Sequence, residues 1–170
     1  MQINPSLLSV AQNPFAVITI IAAPAILTNA SSIIGLTTGG RLLKCLDTIS
    51  QLEKKVTEEE LSEIEYSIKV EQLKLAYKQS KHFLRALRSS YISLGSFAFS
   101  CFLALVGSVI LFFVSLNNAE PFAIITLLSG GAGVLGLVWS SVELFLASRL
   151  TVKIMDKSFK LLSHKKDIVF

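Results

Sequence analysis

The sequence predicts an all-α membrane protein with three transmembrane helices, a cytoplasmic helical hairpin between spans one and two, and a basic C-terminal helix extending span three. Three observations carry this expectation. The 170 residues are 52% hydrophobic and 16% charged, against about 25% charged in an average soluble domain, and the mean hydropathy is +0.61. No charged residue falls between Met1 and Gly40, and Glu120 stands alone between Tyr91 and Val142, a distribution that could not wet the surface of a soluble fold. All 16 Lys and Arg residues fall on one side of the predicted spans: ten between Arg41 and Arg88 and six between Arg149 and Lys166. Disulfide scaffolds, collagen-like repeats and disordered tails are excluded by the same composition.

A span needs roughly 20 apolar residues to cross about 30 Å of hydrocarbon. The chain divides into an external tail (1–14), a first span (15–38), a cytoplasmic hairpin (39–90), a second span (91–116), an external turn (117–120), a third span (121–147) and a basic amphipathic segment (148–170). The positive-inside rule places the N-terminus outside and the 39–90 and 148–170 segments inside. The first apolar stretch lacks a basic n-region and exceeds the roughly 7–15 residues of a signal h-region, so it reads as a retained anchor. Cys45 lies on the reducing side and Cys101 within the second span, so no disulfide is expected between them.

Small and polar residues recur in the first span at Thr28, Ser31, Gly35 and Thr38, and the same spacing continues as Leu42, Cys45, Ile49, Leu52 and Val56. One seam therefore predicts one continuous helix, with Gly39-Gly40 as its weak point. Thr57 with Glu60 reads as a capping box that starts the next helix near Glu58. Acidic residues crowd the start of that helix, and a stripe of five cations follows: Lys74, Lys78, Lys81, Arg85 and Arg88. Leu75, Phe83, Leu84 and Leu87 offer its apolar packing surface. The hairpin's arms, Gly39–Val56 and Glu58–Ser90, are unequal in length, so one must bend or overhang. Span three carries a second seam of Ser129, Gly133, Gly136, Ser140, Glu143 and Ala147. In lipid such small faces permit close helix approach. Beyond it, Arg149, Lys153, Lys157 and Lys160 line one side of the last segment.

Pro24-Ala25-Ile26-Leu27 followed by Arg41-Leu42-Leu43-Lys44-Cys45-Leu46-Asp47-Thr48-Ile49 resembles the domain of unknown function 2721 family. The family's Thr-Pro-Ala-Ile-Leu-like start and Arg-Leu-x-Arg-Val-Val-Asp-Arg-Ile-like juncture align with these residues. Gly40 replaces an Asn, Lys44 an Arg and Thr48 a second Arg. The resemblance implies a small three-span protein of the bacterial inner membrane. It implies no activity.

Other motifs are decoys. Gly131-Ala132-Gly133-Val134-Leu135-Gly136 spells the dinucleotide fingerprint, but inside an apolar span it lacks the strand and exposed helix N-terminus that phosphate binding needs. Asn29-Ala30-Ser31 matches a glycosylation acceptor within the membrane, where Asn29 is expected to bond a neighbouring helix. His82 and His164 stand alone among lysines and read as solvated or interfacial. No nucleophile–base pair, paired carboxylates or metal-ligand spacing occurs, so no enzyme, cofactor or metal is expected. Glu143 is the strongest single candidate, an ionisable group on a packing face, expected to pair with Arg41, Lys44 or Arg149. Arg41, Lys44 and Asp47 are expected to form an ion pair at the juncture.

The expected partners are the bilayer, further copies of this chain, and an anionic lipid or acidic protein at the cationic stripe. That stripe lacks the interleaved aromatics of a nucleic-acid surface. The favoured reading is a homo-oligomeric structural or interaction protein acting through its cytoplasmic helices. The alternative is a small ion channel in which several copies of span one place Thr28, Asn29, Ser31 and Ser32 around a pore, with Pro24 or Gly39-Gly40 as hinges.

Overall fold

The computed structural model describes the backbone of residues 14–58, 61–113 and 120–169, with side chains over most of that length. The expected external tail before Pro14, the turn residues 117–119, and the side chains of 15–21, Lys160 and His164 lie outside the described residues. Among the described residues the fold is entirely helical: α1 (Pro14–Glu58), α2 (Glu63–Phe113) and α3 (Glu120–Val169). Their 45, 51 and 50 residues correspond to lengths on the order of 70 Å each. Two of them, α2 within Glu63–Gly107 and α3 within Ile124–Phe159, each contain an 18-residue window apolar enough to cross a membrane.

The α1 helix runs unbroken through Pro24 and Gly39-Gly40, and no residue of the described chain adopts a positive φ. Its seam faces inward as the spacing predicts: Ser31, Gly35, Thr38, Cys45 and Ile49 are buried, and Thr28, Leu42, Leu52 and Val56 are half-buried.

The expected start of α2 is corrected. Thr57 does not cap it, because Thr57 is still inside α1 and its hydroxyl donates to the Glu53 carbonyl at 2.9 Å. The capping box is Ser62 with Glu65. The Glu65 amide donates to Ser62 Oγ at 3.3 Å, and the Ser62 amide donates back to the Glu65 carboxylate at 3.4 Å. Two otherwise orphaned backbone donors are thereby satisfied by each other's residue. Ending α1 at Glu58 and starting α2 at Glu63 roughly halves the length mismatch predicted between the hairpin's arms. Leu84, expected on the packing face, is 58% exposed. The face it was assigned to is built from Leu73, Ala76 and Phe83.

The helices contribute to two compact units. The first takes the described residues up to Ile34 together with Ser89–Val138. Within it, α2 sends hydroxyls to both neighbours' backbones or receives them. Ser89 donates to the Gly136 carbonyl at 2.7 Å, Ser100 to Thr126 at 3.0 Å, and Ser93 to Gly133. Ser129 of α3 donates back to Ser96 at 2.9 Å, and Ser31 of α1 donates to the Ser90 carbonyl at 3.0 Å. Phe97 is fully buried and lies over Gly133. The second unit takes Gly35–Arg88 and the residues from Trp139 onward. Its core is Cys45, Ile49, Ala76, Phe83 and Ala147, with Leu42, Leu52, Leu73, Leu144 and Ile154 packed around it. Gln72 and Gln79 of α2 are buried there and donate to Ser158 and Thr151 of α3 at 3.0 and 2.7 Å.

The glycines of α1 and α3 predict opposite responses to alanine. A Cβ on Gly133 would lie 2.7 Å from the ring of the fully buried Phe97. Gly133→Ala should therefore lose about 1–3 kcal/mol to overpacking, more than the helix-propensity gain of about 1 kcal/mol. Around Gly39 and Gly40 nothing lies within 4 Å, so alanine there should stabilise by about 0.4–1 kcal/mol each. Thermal unfolding midpoints of the purified variants in detergent check both signs, at about 2–4 °C per kcal/mol.

Candidate functional site

Polar chemistry in the second unit is concentrated on α2 and α3. Glu143, which the α3 seam turns inward, is 4% exposed. Its partner is not a cation of the juncture but His82: Nδ1 lies 2.6 Å from Glu143 Oε2, with the side chains 14% and 6% exposed. Which of the two carries the shared proton follows the histidine tautomer. His82 is thus not the solvated residue expected from its lysine-rich surroundings. One turn along the same seam, Ser140 is fully buried and donates to the Ala86 carbonyl at 3.0 Å.

Further from this pair, α1, α2 and α3 surround a cleft of about 420 Å³. Arg41, Lys44, Cys45 and Thr48 line it from α1, while Ala76, Gln79 and Phe83 close it from α2. The α3 side includes Leu144, Ser148, Thr151 and Ile154. Cys45 is held at the inner wall, where its thiol donates to the Ala76 carbonyl at 3.5 Å and lies 3.8 Å from Gln79 Oε1. Burial pushes the Cys45 thiol up from its ordinary range, because a desolvated thiolate is costly.

Among the described residues the juncture ion pair does not form. Arg41, Lys44 and Asp47 are all exposed, and neither of the ion pairs His82–Glu143 and Lys157–Glu71 involves them. Arg149 does not reach Glu143 either; its guanidinium sits 5.4 Å over the Phe145 ring, one helical turn away. The five stripe cations, Lys74, Lys78, Lys81, Arg85 and Arg88, are exposed.

The residues expected to line a pore or a helix contact separate into two groups. Ser31, Gly35, Thr38, Gly133 and Ser140 are buried and Gly136 half-buried, within this chain's own packing. Ser32 donates to its own helix, to the Thr28 carbonyl at 3.0 Å. Asn29 is exposed and does not bond a neighbouring helix among the described residues. The fingerprint-like Gly131–Gly136 segment is mid-helix in α3, with Gly133 against Phe97 and Gly136 against Ser93.

Sequence reasoning missed the partners on α2. Ser89, Ser93, Ser96 and Ser100 are spaced 4, 3 and 4 apart, the helical face period that would have revealed them. Among the described residues no group of three or more His, Cys, Asp or Glu side chains is placed to hold a metal.

Two outcomes test this geometry. His82→Ala should cost about 3 kcal/mol, because it leaves a buried carboxylate without its partner, whereas pairing His82→Phe with Glu143→Leu should recover most of that loss. A double-mutant cycle on unfolding free energy checks this, and additive costs would refute the pairing. Cys45, in a Cys101→Ser background, should react with a maleimide about tenfold more slowly than a small free thiol at neutral pH. The thiolate is the nucleophile, so a raised pKa lowers its fraction, and the rate should climb as the pH is raised into the alkaline range.

No curated protein and no solved structure matches the chain. Residues 21–152 match the family described as Protein of unknown function (DUF2721). That interval contains the α1 seam, the capping box, the serine face of α2, the His82–Glu143 pair and nearly all of the cleft, and the chain belongs to this family.

Proposed function

We propose that this chain is a three-span protein of the bacterial inner membrane, N-terminus outside, and that it works without catalysis as a homo-oligomeric interaction protein through its cytoplasmic helices. Exposed apolar side chains support the membrane setting. Leu127 and Leu135 of α3 are 77% and 71% exposed, a surface that lipid accepts and water penalises.

The observation that carries the interaction reading lies beyond the third span. There α3 buries Ala147, Leu150 and Ile154 wholly or partly, yet it bares a second apolar row, Val152, Met155 and Phe159, at 65, 65 and 71% exposure. These three residues share a face at spacings of 3 and 4. An apolar row outside the hydrocarbon is the mark of a surface that another protein covers, and a second copy of the same helix offers a matching row. The exposed cations from Lys74 to Arg88 would face an acidic partner or anionic headgroups nearby.

The small-residue seams of α1 and α3 are filled by α2 and do not require a second copy. A pore lined by span one loses Ser31 to its bond with Ser90. Native mass spectrometry of the full chain in lipid nanodiscs tests the reading. Wild-type protein should hold more than one copy, and Met155→Glu with Phe159→Glu should reduce it to a monomer. A monomeric wild type, or a variant that still assembles, would refute self-association through this row. A ring of four or more copies that survives the substitutions would favour the channel.

A further inference from the structure

We propose that the cleft bounded by Arg41, Lys44 and Ser148 binds the phosphate headgroup of an anionic phospholipid, with the first methylenes of its acyl chains against Phe83 and Leu144. The proposal rests on the membrane reading above, and it concerns a site separate from the cationic stripe of α2.

Four observations converge on it. The cleft, at about 420 Å³, falls within the range of small-ligand pockets and is too small for a folded segment of another protein. Its two cations come from one helix face, three residues apart, and no acidic side chain lines the cleft. Neither cation takes part in an ion pair with a described residue, so among the described residues their charge is uncompensated. The lining also combines two chemistries: Arg41, Lys44 and Ser148 supply charge and a hydroxyl, and Phe83, Leu144 and Ile154 supply apolar surface.

Position supplies the fourth observation. Arg41 follows the first span (15–38) by three residues, and Ser148 directly follows the third (121–147). Both cations therefore sit at headgroup depth on the basic side of the bilayer. Basic pockets between helices at that depth take anionic headgroups. A phosphodiester would accept from the Arg41 guanidinium in forked geometry and from the Lys44 ammonium and the Ser148 hydroxyl. An inorganic anion could use the cations but would leave the apolar wall bare.

The test uses the full chain in nanodiscs of phosphatidylcholine and phosphatidylglycerol, with retained lipid counted by native mass spectrometry after release. Wild-type protein should retain phosphatidylglycerol in preference to phosphatidylcholine. Arg41→Gln with Lys44→Gln should reduce that preference by about thirtyfold, given roughly 1 kcal/mol for each cation at the surface. Ser148→Phe should block the cleft to a similar degree with both cations in place, and circular dichroism would confirm that its helices persist. Lys78→Gln with Arg85→Gln should leave the preference unchanged. A preference that survives both cleft variants, or disappears only with the stripe variant, overturns the proposal. Displacement of the lipid by excess inorganic phosphate also overturns it and assigns the cleft to a free anion. Reconstituted protein with no lipid preference counts against the cleft alone, whereas protein that fails to enter nanodiscs counts against the membrane reading beneath it.

Discussion

A polar side chain that water does not reach must find its partner within the chain, and this requirement governs how the three helices meet. Ser31, Ser93, Ser100, Ser140 and Glu143 are all buried. No buried side-chain nitrogen or oxygen among the described residues lacks a hydrogen-bond partner. Most of these bonds run from a hydroxyl on one helix to a backbone carbonyl on the next. A carbonyl already engaged in its own helix can accept a second hydrogen bond through its remaining lone pair. Each such bond is worth only about 0.6 kcal/mol in a membrane setting. Their weight lies in register, since a shift of one residue would strand the hydroxyls in apolar surroundings at a far larger cost.

The same requirement explains which small residues matter. Gly133 lies under Phe97, while Gly136 lies against Ser93 and the Ser89 backbone, so their missing side chains are the space that α2 occupies. Gly39 and Gly40 meet nothing and serve no such contact. Small residues that repeat along a helix have at least two explanations, room for a neighbour and lack of anything to pack. A sequence pattern alone does not separate them. The neighbour's bulk does, and Phe97 provides it.

The seams of α1 and α3 were legible because one face repeats every three or four residues over many turns, from Thr28 to Val56 and from Ser129 to Ala147. The family was legible in the juncture from Arg41 to Ile49. The boundary between α1 and α2 was not, since Thr57…Glu60 and Ser62…Glu65 both spell a capping box. The choice between them depends on where α1 stops, and its interior seam at Leu52 and Val56 holds the helix together past Thr57. The partner of Glu143 was hidden for a different reason. His82 is 61 residues away, and local composition marked it as solvated. Only the packing of α2 on α3 turns it away from the lysines beside it, toward the carboxylate.

Once α2 has claimed the small-residue faces, the groups left over acquire a different meaning. Serines, glycines and the Glu143 carboxylate, which looked like surfaces waiting for other molecules, are consumed in holding the chain together. Arg41 and Lys44, which looked like structural charges because a nearby Asp47 could neutralise them, are left facing a cleft without an acidic wall. Exposure separates these outcomes. Asp47 lies three residues after Lys44 and six after Arg41, and all three residues are exposed, where an ion pair is worth about 0–1 kcal/mol and does not have to form. Glu143 is buried and had to be paired. Burial thus decides which charges belong to the fold and which remain available to something outside it.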